Sequence, residues 1–275
     1  YITDMRPAGF TLLELSIVLV IIGLIVGGVL VGQDLIKAAE IRATVAQIEK
    51  YNAAVNTFRG KYNGIPGDLL ATTATSFGFW CGLGGGNGIG DGDGLIEGAG
   101  ATVTNSGEAL GFWCHLSASN LLEGNLGLDL RGGGSTPDVV SGSQVDLYLP
   151  VAKLAYPNHF SVNQDSGINY YLLMGVARIN DITGLSTFQP NLTPIESYNI
   201  DVKLDDGAPN TGIVLARGTT APFASVSTAQ ASWAASPVSQ CMTGGSDATS
   251  LTTTYNRGAA TGGNTRGCAL RIRFN

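Results

Sequence analysis

Apolar residues run almost unbroken from Phe10 to Val31, with a single acid, Glu14, near the start. About 22 residues at a 1.5 Å rise make a helix that spans roughly the 30 Å hydrocarbon core of a bilayer. The pattern then changes. Ile41, Val45, Ile48, Tyr51, Val55, Phe58 and Tyr62 recur at steps of three and four, the stripe of an amphipathic helix. Asp34, Lys37, Glu40, Arg42, Glu49, Lys50 and Arg59 take the other faces, and Gly60, then Gly64-Ile65-Pro66-Gly67-Asp68, supply stop and turn signals. Together these predict one helix from Phe10 to about Arg59, roughly 75 Å long. Its first half must lie in lipid or among other subunits, and its second half suits a sheet.

The rest of the chain reads as shorter elements. Asn105-Ser106-Gly107-Glu108 has the spacing of a capping box opening a helix through about Leu122, which carries Trp113, Cys114 and His115. Segments 145–148, 170–179, 198–204, 212–216 and 268–274 are rich in Val, Ile, Leu and Tyr and are separated by Gly, Pro and Asn, so each is expected as a strand. Asp205-Asp206-Gly207-Ala208-Pro209-Asn210 is expected to turn one strand into the next. The fold class is α+β: a long N-terminal helix packed on an antiparallel sheet with glycine-rich, disulfide-closed loops. Residues 1–9 form a leader segment, 10–60 the helix, with 10–31 its membrane part, and 61–275 one globular head.

A lone carboxylate near the middle of a bilayer costs roughly 2.5–3.5 kcal/mol on insertion scales, so Glu14 needs a specific partner. The residues around it, Gly9-Phe10-Thr11-Leu12-Leu13-Glu14 followed by Ser16-Ile17-Val18-Leu19-Val20-Ile21-Ile22-Gly23, resemble the class III signal of type IV pilins and type II secretion pseudopilins. The resemblance implies the type IV pilin fold. It also implies that a prepilin peptidase cuts after Gly9 and that the new terminal Phe10 is methylated. In such filaments the acid at the position of Glu14 meets the terminal amine of a neighbour, and a paired charge is tolerable where an isolated one is not. If residues 1–9 are retained, Phe10 has no free amine, and Arg6 or the amine of the first residue is expected to answer a neighbour's Glu14. Gly23, Gly27, Gly28 and Gly32 provide small-xxx-small spacings that let helices approach closely in lipid, and they suit local loosening of the helix as well.

Cys81, Cys114, Cys241 and Cys268 include no Cys-x-x-Cys pair, and an even count outside the cytoplasm favours disulfides over zinc. Three connectivities are open. Cys81 with Cys114 and Cys241 with Cys268 is the expected one, since each closes a local loop of about 30 residues, worth roughly 3–4 kcal/mol on the chain-entropy model. The second pair also resembles the disulfide-closed C-terminal region of many pilins. Gly78-Phe79-Trp80-Cys81 is nearly repeated as Gly111-Phe112-Trp113-Cys114, which suggests that aromatics pack about the first bridge.

Between the first two cysteines, acids alternate along a glycine-rich loop from Gly84 to Glu97. Asp91, Asp93, the carbonyl of Leu95 and Glu97, with Asn87 as a further oxygen, form a candidate Ca2+ set of hard ligands. The spacing departs from an EF-hand, and a solvated surface loop is the competing reading. Asp201, Asp205 and Asp206 form a second acidic group that a turn alone explains. No other cofactor is implied. Asn191-Leu192-Thr193 has the form of a glycosylation sequon.

Composition narrows the function. Charged residues are only 13% of the chain and Gly is 39 of 275, which suits an exposed, loop-rich head. A net charge of −6 and a pI near 4.8 leave no basic footprint for nucleic acid. With two histidines, and no serine-nucleophile elbow, phosphate loop or His metal pair, the chain does not read as an enzyme. The expected role is a structural subunit of a type IV pilus or pilus-like filament, a homo-oligomer held by the N-terminal helix. Such a subunit sits in the bacterial inner membrane as a precursor and reaches the cell surface through pilus assembly machinery. A minor or tip pilin, or a secretion pseudopilin with a ligand-binding head, is the alternative.

Overall fold

The computed structural model describes residues 11–79, 81, 90–97, 107–127, 139–180, 187–218, 241–243, 253–258, 263, 266–267 and 268–274. Helix α1, Leu12–Tyr62, is continuous through the glycines at 23, 27, 28 and 32. The chain divides into two compact units within it, 1–40 and 41–275. In the first unit Leu12 to Ile36 expose nearly every large apolar side chain. This stretch is long and apolar enough to cross a membrane by length and composition.

In the second unit the stripe anticipated from spacing is the buried one: Ile41, Val45, Ile48, Tyr51, Val55 and Phe58 all face inward. Two short helices follow, α2 (Ala71–Ser76) and α3 (Glu108–Ala118). Eight strands are described: β1 (Val139–Ser141), β2 (His159–Asp165), β3 (Ile168–Asn180), β4 (Thr187–Gln189), β5 (Val214–Gly218), β6 (Met242–Thr243), β7 (Thr254–Tyr255) and β8 (Cys268–Arg273). Helix α4 (Pro194–Leu204) lies between β4 and β5.

The main sheet is antiparallel and built around β3, which is long enough for four partners. Its first half pairs with β2, from Asp165 opposite Ile168 to His159 opposite Met174, and on its other edge with β8. Its second half pairs with β4 and β1. β5 extends the sheet beyond β8, and β6 with β7 makes a separate two-stranded ladder. The aromatic centre forms where the helix stripe meets sheet and α3. The Tyr51 ring lies 4.9 Å from Trp113, 5.2 Å from Phe160 and 6.1 Å from Tyr171, and Tyr171 stacks on Phe274 at 4.4 Å.

Three local expectations are corrected. Residues 198–204 are helical, because the Thr193 hydroxyl accepts the Glu196 N–H while the Glu196 carboxylate accepts the Thr193 N–H, with Pro194 in the first turn. This capping box and N-terminal proline outweigh the β-prone residues that follow. Residues 145–147 lie in a 3₁₀ turn, Gly142–Leu147, entered through Gly142 at a φ of 60° and capped by Tyr148. The helix α3 begins at Glu108 behind Gly107, has no side-chain cap, and ends at Ala118 rather than Leu122. Glu108 is turned elsewhere, as described below. Asn105 and Ser106 lie outside the described residues.

The same capping box occupies the apparent sequon. Thr193 is buried, and the Asn191 amide donates to the Pro157 carbonyl at 3.0 Å. The Leu192 backbone is bonded to Cys268 in both directions. The segment is thus committed to the fold.

Candidate functional site

At the start of α1, Glu14 has a partner within its own chain. Its Oε2 accepts the Thr11 N–H and the Thr11 hydroxyl, each at 2.8 Å, and the Glu14 N–H donates to Thr11 Oγ1 at 3.3 Å. This is a capping box: the acid satisfies helix-start amides that would otherwise lack a partner. Thr-x-x-Glu was visible in the sequence as Thr11-Leu12-Leu13-Glu14, and the reading of Glu14 as an intermolecular partner passed over it. At Gly23, Gly27, Gly28 and Gly32 an added Cβ would meet nothing within 4 Å beyond the adjoining backbone of the helix itself. Small residues at this spacing suit close approach of a second helix. Arg6, Gly9 and Phe10 lie outside the described residues.

The cysteines pair as Cys81–Cys114 and Cys241–Cys268, with Cα separations of 5.8 Å and 5.1 Å. Phe79, beside the first bridge, packs against Phe58, Tyr62 and His115. His115, next to Cys114, is buried parallel to Phe58 at 6.0 Å, and its Nδ1 accepts the Gly67 N–H at 2.8 Å. Burial pushes its pKa down to about 4, so it is a neutral packing group.

The acidic loop is organised, but around different residues than its spacing suggested. Asp68 Oδ1 accepts the Gly92 N–H and Oδ2 the Gly94 N–H, both at 2.6 Å. Glu108 spans the loop from the other side, accepting from Asp91 at 3.3 Å and from Glu97 at 2.8 Å. Asp91 and Asp93 each accept the N–H two residues ahead, at 3.1 and 2.8 Å. Asn169 on β3 then ties the loop to the sheet, accepting the Ile96 N–H and donating to the Gly94 carbonyl, both at 2.9 Å. Gly90 makes this docking possible, because a Cβ there would fall 2.2 Å from the Asp68 Cα.

Among the described residues, Asp68, Asp91 and Glu108 bring carboxylate oxygens within 4.8 Å of one another, whereas Asp93 and Glu97 belong to no such group. Asp91, Asp93 and Glu97 thus form no group of three converging carboxylates. Residues bonding two positions ahead lay their carboxylates along the backbone instead of converging on a point. Asn87 lies outside the described residues. Asp68 and Glu108 were missed because their role depends on distant loop amides, which leave no local pattern.

Asp201, Asp205 and Asp206 also converge, at a turn that joins α4 to β5 and not strand to strand. The Tyr255 hydroxyl donates to Asp201 Oδ2 at 2.7 Å and the Gly207 N–H to Oδ1 at 3.1 Å. Asp205 accepts the Ile213 and Val214 amides, and Asp206 the Ala208 N–H and the Thr211 hydroxyl. Every one of these carboxylates has a protein donor.

Burial raises Glu108 to about 7 and Asp201 to about 6, and it raises Asp68 in the same direction. A carboxyl whose folded pKa is raised contributes stability that is complete below its unfolded pKa and is lost as pH rises through the folded one. His115 has the opposite sign, losing its contribution only as pH falls through its ordinary range towards 4. Above pH ~6.5 His115 no longer contributes to the slope, and Glu108 dominates. The head is expected to lose thermal stability as pH rises from about 6.5 through about 7, with little further change above that, and Glu108→Gln to flatten the decline. Melting curves by circular dichroism across this range measure both.

The chain carries a prokaryotic N-terminal methylation motif, matched over residues 4–30. This motif is the class III signal of type IV pilins and pseudopilins, and with a long helix, an antiparallel sheet and two disulfides the chain is an α+β protein consistent with the type IV pilin fold. The motif covers only the start of the chain; it indicates a type IV pilin- or pseudopilin-like precursor, implies processing by prepilin peptidase, and points to a structural role. No curated protein and no solved structure matches the chain.

Proposed function

We propose that this protein is a structural subunit of a type IV pilus or pilus-like extracellular filament. The observation that carries the reading is the exposed apolar face of Leu12 to Ile36, headed by a methylation motif. Water rejects such a surface, so the segment rests in the inner membrane before assembly and among identical helices afterwards. In the filament, Glu14 exchanges its bonds to Thr11 for the amine of a neighbouring Phe10 after cleavage behind Gly9. With residues 1–9 retained, Arg6 or the first amine serves instead. The glycines bring helices close, and residues 61–275 form the displayed head. A minor or tip subunit, or a secretion pseudopilin, uses the same parts in fewer copies.

Electron microscopy of sheared surface material, with antibody against the head, tests the reading. Fibres made chiefly of this chain are expected, and their peptide map is expected to begin at an N-methylated Phe10. Glu14→Ala is expected to reduce fibre yield at least about tenfold, while leaving the membrane-bound subunit in place. A lasting monomer in the membrane, with no fibre under any condition, overturns the proposal.

A further inference from the structure

The head carries a polar groove of about 380 Å³ lined by Asn52, Asn56, Ile213, Arg273 and Phe274. That volume lies in the lower part of the range for small-molecule sites, roughly 300–1,000 Å³, and suits a group of one or two rings. Asn52 and Asn56 sit one turn apart on α1, Ile213 precedes β5, and Arg273 ends β8 with Phe274 next to it. The polar side chains here are unmet. Asn52 Oδ1 is buried without a hydrogen-bond partner, and neither the Asn56 amide nor the Arg273 guanidinium has a partner among the described residues. A buried acceptor left unpaired is costly, which marks Asn52 as the group an occupant answers with a donor.

The surroundings decide what kind of occupant fits. A peptide adding as a strand needs free main-chain groups, and those at the groove are taken. The Ile213 N–H donates to Asp205, the Ile213 carbonyl accepts the Arg273 N–H, and the Phe274 N–H donates to the Asn169 carbonyl. No sign of charge prevails either. Arg273 and Arg59, three residues beyond Asn56, are positive; Glu49, three before Asn52, and Asp205, bonded to Ile213, are negative. The occupant is therefore neutral and rich in groups that both donate and accept. Hydroxyls have that property: one can donate to Asn52 while its neighbour on the same ring accepts from Arg273. Exposed Ile213 and buried Phe274 add an apolar wall for the carbon-bound hydrogens of such a ring. We propose that the groove binds a neutral sugar of one or two rings through Asn52, Asn56 and Arg273. This is a binding activity of the head beyond its filament role, and it does not depend on polymerisation.

The test titrates the full chain, in a detergent without sugar groups, with glucose, galactose, mannose and N-acetylglucosamine, and reads binding by saturation-transfer NMR. At least one is expected to bind with a dissociation constant on the order of 1–10 mM, as suits a small, polar ligand, and glucuronate no more tightly. Arg273→Gln and Asn52→Leu are each expected to weaken that binding at least about fivefold. Asn56→Cys gives a second reading that leaves both groups in place and does not depend on the other variants folding. The bound sugar is expected to slow maleimide labelling at this exposed position at least about threefold, while labelling of Lys37→Cys is unchanged. Binding of no neutral sugar, binding unaltered in both groove variants, labelling that the bound sugar does not slow, or a preference for glucuronate over every neutral sugar overturns the proposal.

Discussion

Trp113→Ala is expected to destabilise the head by about 3–5 kcal/mol, the range for deleting a large buried aromatic. Trp113 is fully buried. Its ring meets Tyr51 and Phe112 edge-on, each at 4.9 Å, and lies 6.2 Å from Tyr171. It therefore touches α1, its own helix α3 and β3, and its loss leaves a cavity shared by all three. The neighbours cannot close over it independently, because Tyr51 also packs on Phe160 and Tyr171 on Phe274. Trp113→Phe is expected to cost much less. The indole Nε1 has no hydrogen-bond partner among the described residues, so phenylalanine forfeits volume but no bond. Urea denaturation of the purified chain in detergent, followed by far-UV circular dichroism, separates the two variants. Equal losses for Ala and Phe would show that the indole itself, not the filled volume, is what matters.

Replacing Cys241 and Cys268 together by serine is expected to cost about 2–5 kcal/mol. The bridge joins residues 27 apart in sequence, and both sulfurs are buried. Cys268 opens β8, where it pairs with Gly218 of β5, and its backbone is bonded to Leu192 ahead of α4. Cys241 accepts the Asn256 N–H next to the β6–β7 ladder. Cutting the bridge leaves the small ladder tied to the rest of the head chiefly through Tyr255, which bonds Asp201 and packs on Tyr198, and a two-stranded ladder is marginal in water. Hydrogen exchange is expected to accelerate first at residues 242–243 and 254–255, with the β3 amides still protected. Uniform acceleration through β3 would instead place this bridge at the centre of the fold.

The long helix was legible because its signals are local: an apolar run, then steps of three and four ending at Phe58 and Tyr62, then Gly60 and Pro66. The strands at 170–179 and 268–274 were legible for the same reason, being apolar and bounded by turn residues. β2 was not, because His159, Ser161 and Asn163 put polar side chains at alternate buried positions and erase the contrast that marks a strand. Residues 198–204 failed differently. Their Tyr and Ile suggested a strand, while the deciding information sat upstream in Thr193, Pro194 and Glu196. At the N-terminus the importance of Glu14 could be read from its cost in lipid, but its bond to Thr11 required treating Thr-x-x-Glu as a helix start. In the acidic loop the alternating acids were visible, but not the residues that hold them in place. Asp68 and Glu108 hold it from 24 and 11 residues away, and no window over the loop contains both.

The manner in which Asp68 and Glu108 hold that loop has an evolutionary consequence. They grip main-chain N–H groups, which every residue except proline supplies. Exchanging Leu95, for instance, leaves its own amide and the grips on Gly92, Gly94 and Glu97 in place. A segment fastened this way can change its outward chemistry between lineages while retracing one path, provided that Gly90 stays small enough to lie on Asp68 and that Gly92 and Gly94, at φ of 81° and 91°, stay glycine. Diversity in what the loop presents thus carries little hazard for the scaffold beneath it.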